Sequence, residues 1–205
     1  MTTFPVCDLF HSLQGEGSRA GMPMTFLRFW GCPLRCPWCD EPRHRDPATR
    51  QDLSLERLDE KINRLAGGNP HLLLTGGEPL AVAGLQGLVD HFRGRGYSLA
   101  METSGEGGPF PDGLDWITLS PKTVLPEDHF RRADEVKFVL GPGENKEEEG
   151  FILEWSRLHH LVLVQPRSQG GKMVASARER CLKLVLASEG RLRLSLQIHK
   201  WLGLP

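Results

Sequence analysis

Short apolar runs that alternate with segments of helical periodicity are the feature that most constrains the fold of this 205-residue chain. Six runs of strand length lie at residues 24–30, 71–74, 97–103, 116–119, 135–140 and 161–164. Helical patterns lie at residues 55–65, 81–93, 147–158 and 174–187. Strands that alternate with helices form parallel sheets through right-handed crossovers, which predicts an α/β fold. Six strands are too few for a closed eight-fold barrel of ~250 residues, so we predict a partial, open parallel β/α barrel with shortened helices. A further strand is predicted over residues 191–198, and residues 1–205 are predicted to form a single domain.

A loop with three cysteines follows the first predicted strand. Cys32, Cys36 and Cys39 have the spacing Cys-x3-Cys-x2-Cys, and two prolines and Gly31 favour a loop over a strand. A loop can direct several thiolates at one point, and three thiolates leave one iron of a cubane cluster open to another ligand. The alternative from the residues alone is a structural zinc site completed by His44.

Composition and charge exclude several classes of function. The formal net charge of −1 gives no overall basic field for a polyanionic partner such as nucleic acid. No apolar run approaches the ~20 residues that span a membrane, and the first residues lack the pattern of a secretory leader. Clustered cysteines in such a chain indicate metal binding in a reducing compartment, so we expect a cytoplasmic protein.

Glycines, prolines and polar residues follow each predicted strand. Ligands bind at the carboxyl ends of parallel strands, so these clusters are predicted to converge on the edge that carries the cysteine loop. Gly77 and Glu78 could accept hydrogen bonds from an ammonium group, because glycine lets the backbone approach a ligand closely. The alternatives are ordinary strand-to-helix turns and a solvated lysine. The clusters are Gly76-Gly77-Glu78-Pro79, Glu102-Thr103-Ser104-Gly105, Ser120-Pro121-Lys122 and Gln165-Pro166.

Two further features indicate a small polar ligand. Gln14 and Glu16 alternate with glycines, and an amide and a carboxylate suit the donor–acceptor edge of a pterin or purine-like ring. Arg28 lies in an otherwise apolar strand, where an unpaired charge is costly. Its partner is either a carboxylate of the substrate or an internal acid, namely Asp40, Glu41 or Glu78.

These motifs resemble a known family. The segment Cys36-Pro37-Trp38-Cys39-Asp40 resembles the signature of the radical S-adenosylmethionine (SAM) superfamily. Together with other segments along nearly the whole chain, it resembles the 7-carboxy-7-deazaguanine synthase family. Those segments are Ser12-Leu13-Gln14-Gly15-Glu16-Gly17, Phe26-Leu27-Arg28, the strand-end clusters given above and Leu196-Gln197-Ile198-His199-Lys200.

The resemblance implies a ring contraction of 6-carboxy-5,6,7,8-tetrahydropterin to 7-carboxy-7-deazaguanine with loss of ammonia, on the route to 7-deazapurines such as the queuosine base. The implied cofactors are a [4Fe–4S] cluster and SAM, and the implied partners are a flavodoxin or ferredoxin reductant and a second copy of the chain in a homodimer. The alternative within the superfamily is a glycyl-radical activating enzyme, which should lack the Gln14, Glu16 and Arg28 set.

The resemblance also assigns roles by position. The cluster ligands are Cys32, Cys36 and Cys39. The residues implied to contact SAM are Pro37, Trp38, Cys39, Gly77, Glu78, Glu102, Ser104, Ser120, Pro121, Lys122 and Gln165. The residues implied to contact substrate are Leu13, Gln14, Gly15, Glu16, Arg28, Thr75, His199 and, through its terminal carboxylate, Pro205.

The sequence departs from the family at Glu41. The family usually has a threonine there, which helps to hold Mg2+ beside the substrate. A carboxylate is a competent ligand for magnesium, so Glu41 is a candidate metal residue. Its negative charge would also crowd a carboxylated substrate and require a cation between the two. A second departure is Ser104, where asparagine is common.

Overall fold

The computed structural model describes residues 2–205, and nine of its strands form one sheet. The strands are β1 (Thr3–Leu13), β2 (Pro23–Phe29), β3 (Gln51–Ser54), β4 (His71–Gly76), β5 (Ser98–Thr103), β6 (Trp116–Leu119), β7 (Glu135–Leu140), β8 (Val162–Pro166), a separate hairpin of β9 (Ser168–Gln169) and β10 (Lys172–Met173), and β11 (Leu192–Leu194). The helices are α1 (Leu55–Ala66), α2 (Leu85–Gly94), α3 (Glu127–Arg132), α4 (Lys146–Leu158), α5 (Ala175–Ala187) and α6 (Ile198–Leu202). None of these helices is long and apolar enough to cross a bilayer.

The strand order in the sheet is β11-β8-β7-β6-β5-β4-β2-β1-β3. From β2 to β11 each neighbouring pair is parallel, whereas β1 pairs antiparallel with both β2 and β3. The strands β11 and β3 form the two edges of the sheet across residues 2–205, so the sheet is not closed into a barrel. The prediction of an open, mostly parallel α/β sheet is confirmed.

The structure corrects the sequence prediction in several places, and it also contains the helices α3 and α6 and the β9–β10 hairpin, which were not predicted. The chain has two additional strands, β1 and β3, which extend the sheet beyond β2. The helix predicted from residue 81 begins at Leu85, because a 3-10 turn, Pro79–Ala81, comes first. The strand predicted over residues 191–198 ends at Leu194. Beyond it the side chain of Ser195 donates to Gln165 and that of Gln197 donates to Glu16, two residues that line the cavity, and α6 starts at Ile198.

Helix α1 illustrates how local sequence sets these elements. The side chain of Ser54 accepts a hydrogen bond from the backbone N–H of Arg57 and caps the first turn. The helix ends at Gly67, which has φ 56° and ψ 29°, the left-handed conformation that glycine adopts without strain. Its buried residues Leu58 and Ile62 lie on one face and pack into the main core.

The two faces of the parallel sheet carry different side chains. One face packs against the helices through the main hydrophobic core, in which the strand residues include Leu27, Phe29, Leu72, Leu74, Leu99, Met101, Val136, Phe138, Val162 and Val164. The opposite face has a small apolar cluster built from Met24, Phe26, Leu73 and Ala100. Beyond that cluster, toward the carboxyl ends of the strands, the inward side chains are polar: Arg28, Thr75, Glu102, Thr118, Lys137 and Gln165. Because side chains alternate along each strand, one face of the sheet is packed against the helices and the other presents polar side chains that a ligand could contact.

Truncation of the buried face of α1 provides a test of this packing. We expect Leu58→Ala to lower the free energy of unfolding by about 2–5 kcal/mol, because it leaves a cavity in the core. The matched change Leu65→Ala, on the partly exposed side of the same helix, should cost less than about 1 kcal/mol. Urea unfolding of the two variants measures the difference, and equal losses would contradict the assignment of faces.

Candidate active site

A cavity of about 430 Å3 lies on the polar face, at the carboxyl ends of the parallel strands. Nearly all of the residues selected from the sequence line it, which brings the separate strand-end clusters together. They are Leu13, Gln14, Gly15, Glu16, Arg28, Cys32, Cys36, Trp38, Cys39, Glu41, Thr75, Gly77, Glu78, Glu102, Ser104, Ser120, Lys122, Gln165, His199 and Pro205. Pro37 and Pro121 are not among the lining residues, and their roles stay predictions.

The cysteine loop is attached to the glycine-rich turn by backbone contacts. The N–H of Gly77 donates to the carbonyl oxygen of Phe29 at 2.9 Å, and the N–H of Glu78 donates to the carbonyl oxygen of Gly31 at 2.9 Å. The backbones approach so closely that a Cβ at Gly77 would overlap the Gly31 carbonyl. Glycine at position 77 is thus required for the loop to sit against the turn.

The three loop thiols are free and lie on one wall of the cavity. Burial raises the pKa values of the Cys32 and Cys39 thiols. No three His, Cys, Asp or Glu side chains among residues 2–205 are already gathered as a metal site, so the loop would have to draw its thiols together around a cluster. Three free thiols on one loop, with no fourth nearby, fit a cluster that has three protein ligands.

His44 is in contact with one of these thiols. Its Nε2 atom lies 3.4 Å from Sγ of Cys39, and its buried Nδ1 atom has no hydrogen-bond partner in the described chain. Burial, followed by the nearby charge of Arg45, lowers the pKa of His44 and favours the neutral ring. This is one contact of the alternative zinc site.

Glu78 connects the glycine-rich turn to the end of β5. Its buried carboxylate accepts hydrogen bonds from Thr103 Oγ1, from Ser104 N at 2.8 Å and Oγ at 2.5 Å, and from Leu80 N at 3.0 Å. Burial nonetheless raises its pKa. The carboxylate is committed to internal donors, so its predicted contact with an ammonium group stays a prediction.

A buried ion pair joins Glu16 to Lys137, a residue that the sequence analysis did not select. Lys137 Nζ donates to Glu16, which also accepts from Gln165 Nε2 at 3.0 Å and Gln197 Nε2 at 2.6 Å. Burial opposes ionisation of Glu16, but Lys137 outweighs it and lowers the pKa of Glu16 to about 2. Burial likewise disfavours the lysine cation, and the nearby Glu16 and Glu102 carboxylates outweigh that effect and raise the pKa of Lys137. Both groups are therefore charged at neutral pH.

Glu102 belongs to the same network. Its carboxylate accepts from Gln14 Nε2 at 3.0 Å and from Thr75 Oγ1 at 3.1 Å, and it lies 4.0 Å from Lys137. These partners place Glu102 beside the residues predicted to bind substrate. Its predicted contact with SAM is not tested by these contacts.

Lys122 lies at the end of β6. Its Nζ donates to Ser120 Oγ at 2.6 Å, and that hydroxyl donates to the carbonyl oxygen of Lys137 at 2.9 Å. Burial, followed by the charge of Lys137, lowers the pKa of Lys122 to about 8. The lysine is a cation that titrates close to neutral pH and has no carboxylate in hydrogen-bond contact within residues 2–205.

The internal partner of Arg28, which the sequence left open among three acids, is Glu41. Its Nη1 atom lies 3.5 Å from Oε2 of Glu41, and its buried Nε atom is unpartnered in the described structure. Glu41 is also bound by Arg43, and Arg43 reaches Asp8 at 3.0 Å. Burial of Glu41 opposes its charge, but the hydrogen bond from Arg43 and the charge of Arg28 outweigh it and lower the pKa of Glu41.

The carboxy-terminal segment closes over the amino-terminal motif. The N–H of Ile198 donates to the Gly15 carbonyl at 2.9 Å, and a Cβ at Gly15 would overlap the ring of His199. Gln197 reaches both Glu16 and Asp40. The segment thereby covers the part of the cavity that Gln14 and Glu16 line.

Sequence reasoning assigned no role to three residues that organise the site, Arg43, Lys137 and Gln197, of which only Gln197 lies in a segment that carried the resemblance. The signal for Lys137 was available, because it is a charged residue in an apolar strand, as Arg28 is. Arg43 and Gln197 lie outside strands, and only the folded chain shows which acids they reach.

Comparison with known proteins gives one consistent result. Residues 29–149 match the model of the Radical SAM superfamily. A 7-carboxy-7-deazaguanine synthase from Haemophilus influenzae is 32% identical over 207 residues, which cover 98% of this chain and 94% of that protein. A 7-carboxy-7-deazaguanine synthase from Synechocystis sp. is 32% identical over 206 residues, which cover 98% of this chain and 93% of that protein. The crystal structure of QueE from Escherichia coli has a TM-score of 0.77 and 27% identity, and the match covers 95% of this chain and 94% of that one.

The Glu16–Lys137 pair can be tested by its contribution to stability. We expect Lys137→Met to lower the free energy of unfolding by about 3–5 kcal/mol, because it leaves the Glu16 carboxylate buried without its cation. The double variant Glu16→Gln with Lys137→Met should recover much of that loss, because no unpaired charge remains. Denaturant unfolding at neutral pH measures both, and additive losses would contradict a direct pair.

Proposed function

The chain belongs to the 7-carboxy-7-deazaguanine synthase family of the radical SAM superfamily, and on that premise we propose how its cavity carries out the family's reaction. The enzyme contracts the ring of 6-carboxy-5,6,7,8-tetrahydropterin to 7-carboxy-7-deazaguanine and releases ammonia, a step in the biosynthesis of queuosine-type 7-deazapurines. Its relatives carry that name over nearly the full length of the chain. The glycyl-radical activating role is not favoured.

The observation that supports this assignment most directly is that two sets of residues line one cavity. The three thiols of the cysteine loop occupy one wall, and Gln14, Glu16 and Arg28 face the same space. Membership of the superfamily implies a [4Fe–4S] cluster and SAM. Cys32, Cys36 and Cys39 would hold the cluster. When bound, these cofactors supply one electron and a carbon-centred radical that takes a hydrogen atom from the substrate.

The substrate side of the cavity is made of groups whose orientation is already fixed. Gln14 and Glu16 are both held by internal hydrogen bonds, so their remaining donor and acceptor positions can recognise the amino edge of the pterin. Arg28 lines the cavity and offers its guanidinium group to the substrate carboxylate. Leu13, Gly15, Thr75, His199 and Pro205 complete this side in the proposal.

The cofactor side is formed by the ends of the other strands. Lys122 and Ser120 offer a cation and a hydroxyl group to the SAM carboxylate and ribose, and the Gly77 turn offers backbone acceptors to its ammonium group. Trp38, Ser104 and Gln165 line the space between. The part of these residues is to position the reactants and to exclude water.

The remaining proposals concern partners and location. An external electron is required, for which we propose a flavodoxin or ferredoxin. We also propose a homodimer on the basis of the resemblance and, because the clustered thiols need reducing conditions, a cytoplasmic location. Magnesium, for which Glu41 was the predicted ligand, is left out of the proposal, because the oxygens of Glu41 are already bound by two arginines.

The function is tested by anaerobic turnover. Reconstituted protein with SAM, a reductant and 6-carboxytetrahydropterin should give a deazaguanine, detected by its ultraviolet spectrum and mass. The Cys36→Ala variant should form none, because it loses a cluster ligand, whereas Cys181→Ala, a buried cysteine of the main core, should retain the activity. Cleavage of SAM without any change in the tetrahydropterin would instead support an activating enzyme.

The pKa of Lys122 predicts how SAM binding depends on pH. In the free enzyme Lys122 carries its charge below about pH 8 and loses it above. We expect the dissociation constant of SAM to rise by about tenfold as the pH passes upward through that range, because a charge-assisted contact with the carboxylate is lost. In Lys122→Met the affinity should be weak and independent of pH over the same range. An anaerobic titration with SAM measures both, and a flat profile in the unmodified protein would remove Lys122 from this role.

A further inference from the structure

Glu41 occupies the position at which the family resemblance implies a ligand of Mg2+, but both of its carboxylate oxygens are already engaged. Oε1 accepts from Arg43 Nε at 2.9 Å and from the Arg43 backbone N–H at 3.3 Å. Oε2 accepts from Arg43 Nη2 at 2.9 Å and lies 3.5 Å from Arg28 Nη1. The contact with Arg43 is bidentate, the strongest form of an arginine–carboxylate pair.

The pair is part of a set of four charges. Arg43 Nη2 also lies 3.0 Å from Asp8 Oδ2, and Asp8 is opposite Arg28 in the β1–β2 ladder. Two guanidinium groups therefore face two carboxylates, and the set is neutral as it stands. Arg28, Glu41 and Arg43 line the cavity.

A magnesium ion does not fit this arrangement. It requires near-octahedral oxygen ligands at about 2.1 Å, and it would have to displace an arginine from Glu41, either Arg28 at Oε2 or Arg43 at Oε1, to reach a lone pair. It would also add two positive charges next to two guanidinium groups. The Glu41 carboxylate therefore already has cationic partners, and they are arginines of the protein itself.

We propose that Arg43, together with Arg28, takes the place of the divalent cation in this chain, and that Glu41 positions the two guanidinium groups for the carboxylate of the substrate. This inference rests on the proposed function. Arg28 is held from one side by the ring of Phe10, with its guanidinium carbon 5.7 Å from the ring centroid, and its buried Nε atom has no partner within the described residues. The two guanidinium groups line the cavity, so the substrate carboxylate would add its negative charge beside two cations of an otherwise neutral set.

The consequence is turnover that does not need magnesium. Glu41 is the positioning residue in this proposal, because it holds the guanidinium groups of Arg43 and Arg28. Removal of Arg43 should weaken binding of the carboxylated substrate and leave SAM binding unchanged, since the lysine and serine proposed for SAM lie at the end of β6.

Metal binding gives a readout that does not depend on turnover. Reconstituted protein with its cluster oxidised, mixed with SAM and 6-carboxytetrahydropterin, should leave added Mn2+ with the electron paramagnetic resonance signal of the free ion. Treatment with a chelator should leave the rate of deazaguanine formation unchanged. Stoichiometric loss of the free Mn2+ signal, or a rate that requires added magnesium, would overturn the proposal.

Variants test the role of Arg43 itself. We expect Arg43→Met to raise KM for the tetrahydropterin by about tenfold, the loss typical of one charge-assisted contact, with the SAM dissociation constant unchanged. Arg43→Lys should recover part of the loss, because it restores the charge without the bidentate geometry. The matched control is Arg50→Met, which breaks an exposed arginine–aspartate pair of the same sequence spacing, Arg50–Asp52, and should change neither constant.

Three outcomes distinguish a failure of the role of Arg43 from a failure of the proposed function. An unchanged KM in a folded Arg43→Met protein contradicts the role of Arg43. If Arg43→Met does not fold, the Arg43→Lys protein decides by the same KM comparison. If the unmodified protein makes no deazaguanine at all, the proposed function fails, and the Mn2+ experiment still decides whether Glu41 is closed to a metal ion.

Discussion

The buried ion pair between Glu16 and Lys137 is the interaction on which the arrangement of the cavity depends. It connects the amino-terminal motif to strand β7, and the amides of Gln165 and Gln197 attach β8 and the carboxy-terminal segment to the same carboxylate. Charges on the inner face of a sheet must be paired, since desolvation would otherwise make them too costly. Because each acid there already has its donors, a ligand meets groups whose orientation is fixed before it binds.

Glu78 has a comparable role on the other side of the cavity. Its backbone N–H holds the cysteine loop at Gly31, and its carboxylate holds the end of β5 at Thr103 and Ser104. One residue therefore sets the distance between the three thiols and the neighbouring strand end. The residue that sequence reasoning assigned to a ligand is also a structural support of the site.

Much of this organisation could be predicted from the sequence, because it depends on local patterns. The six central strands followed from apolar runs, and the convergence of their ends followed from the geometry of parallel sheets. Strand β1 was missed, since polar residues such as His11 interrupt its pattern. The strand predicted over residues 191–198 was too long: Ser195 still donates its N–H to Val164, but the side chain of Gln197 binds Glu16 in the cavity and α6 begins at Ile198. The pairing of Arg43 with Glu41 could not be predicted, because another acid or solvent could equally have bound the Arg43 guanidinium group.

The contact between Gly15 and His199 has a consequence for how the enzyme forms. These residues lie near opposite ends of the described chain, so their contact closes one of the largest loops in the protein, and closing it costs more entropy than closing a short loop. The cysteine loop and its neighbouring strands involve far shorter separations. The side of the cavity lined by Gln14 and Glu16 is therefore complete only when the carboxy-terminal segment has docked, whereas the cysteine loop and the Gly77 turn meet through contacts much nearer in sequence.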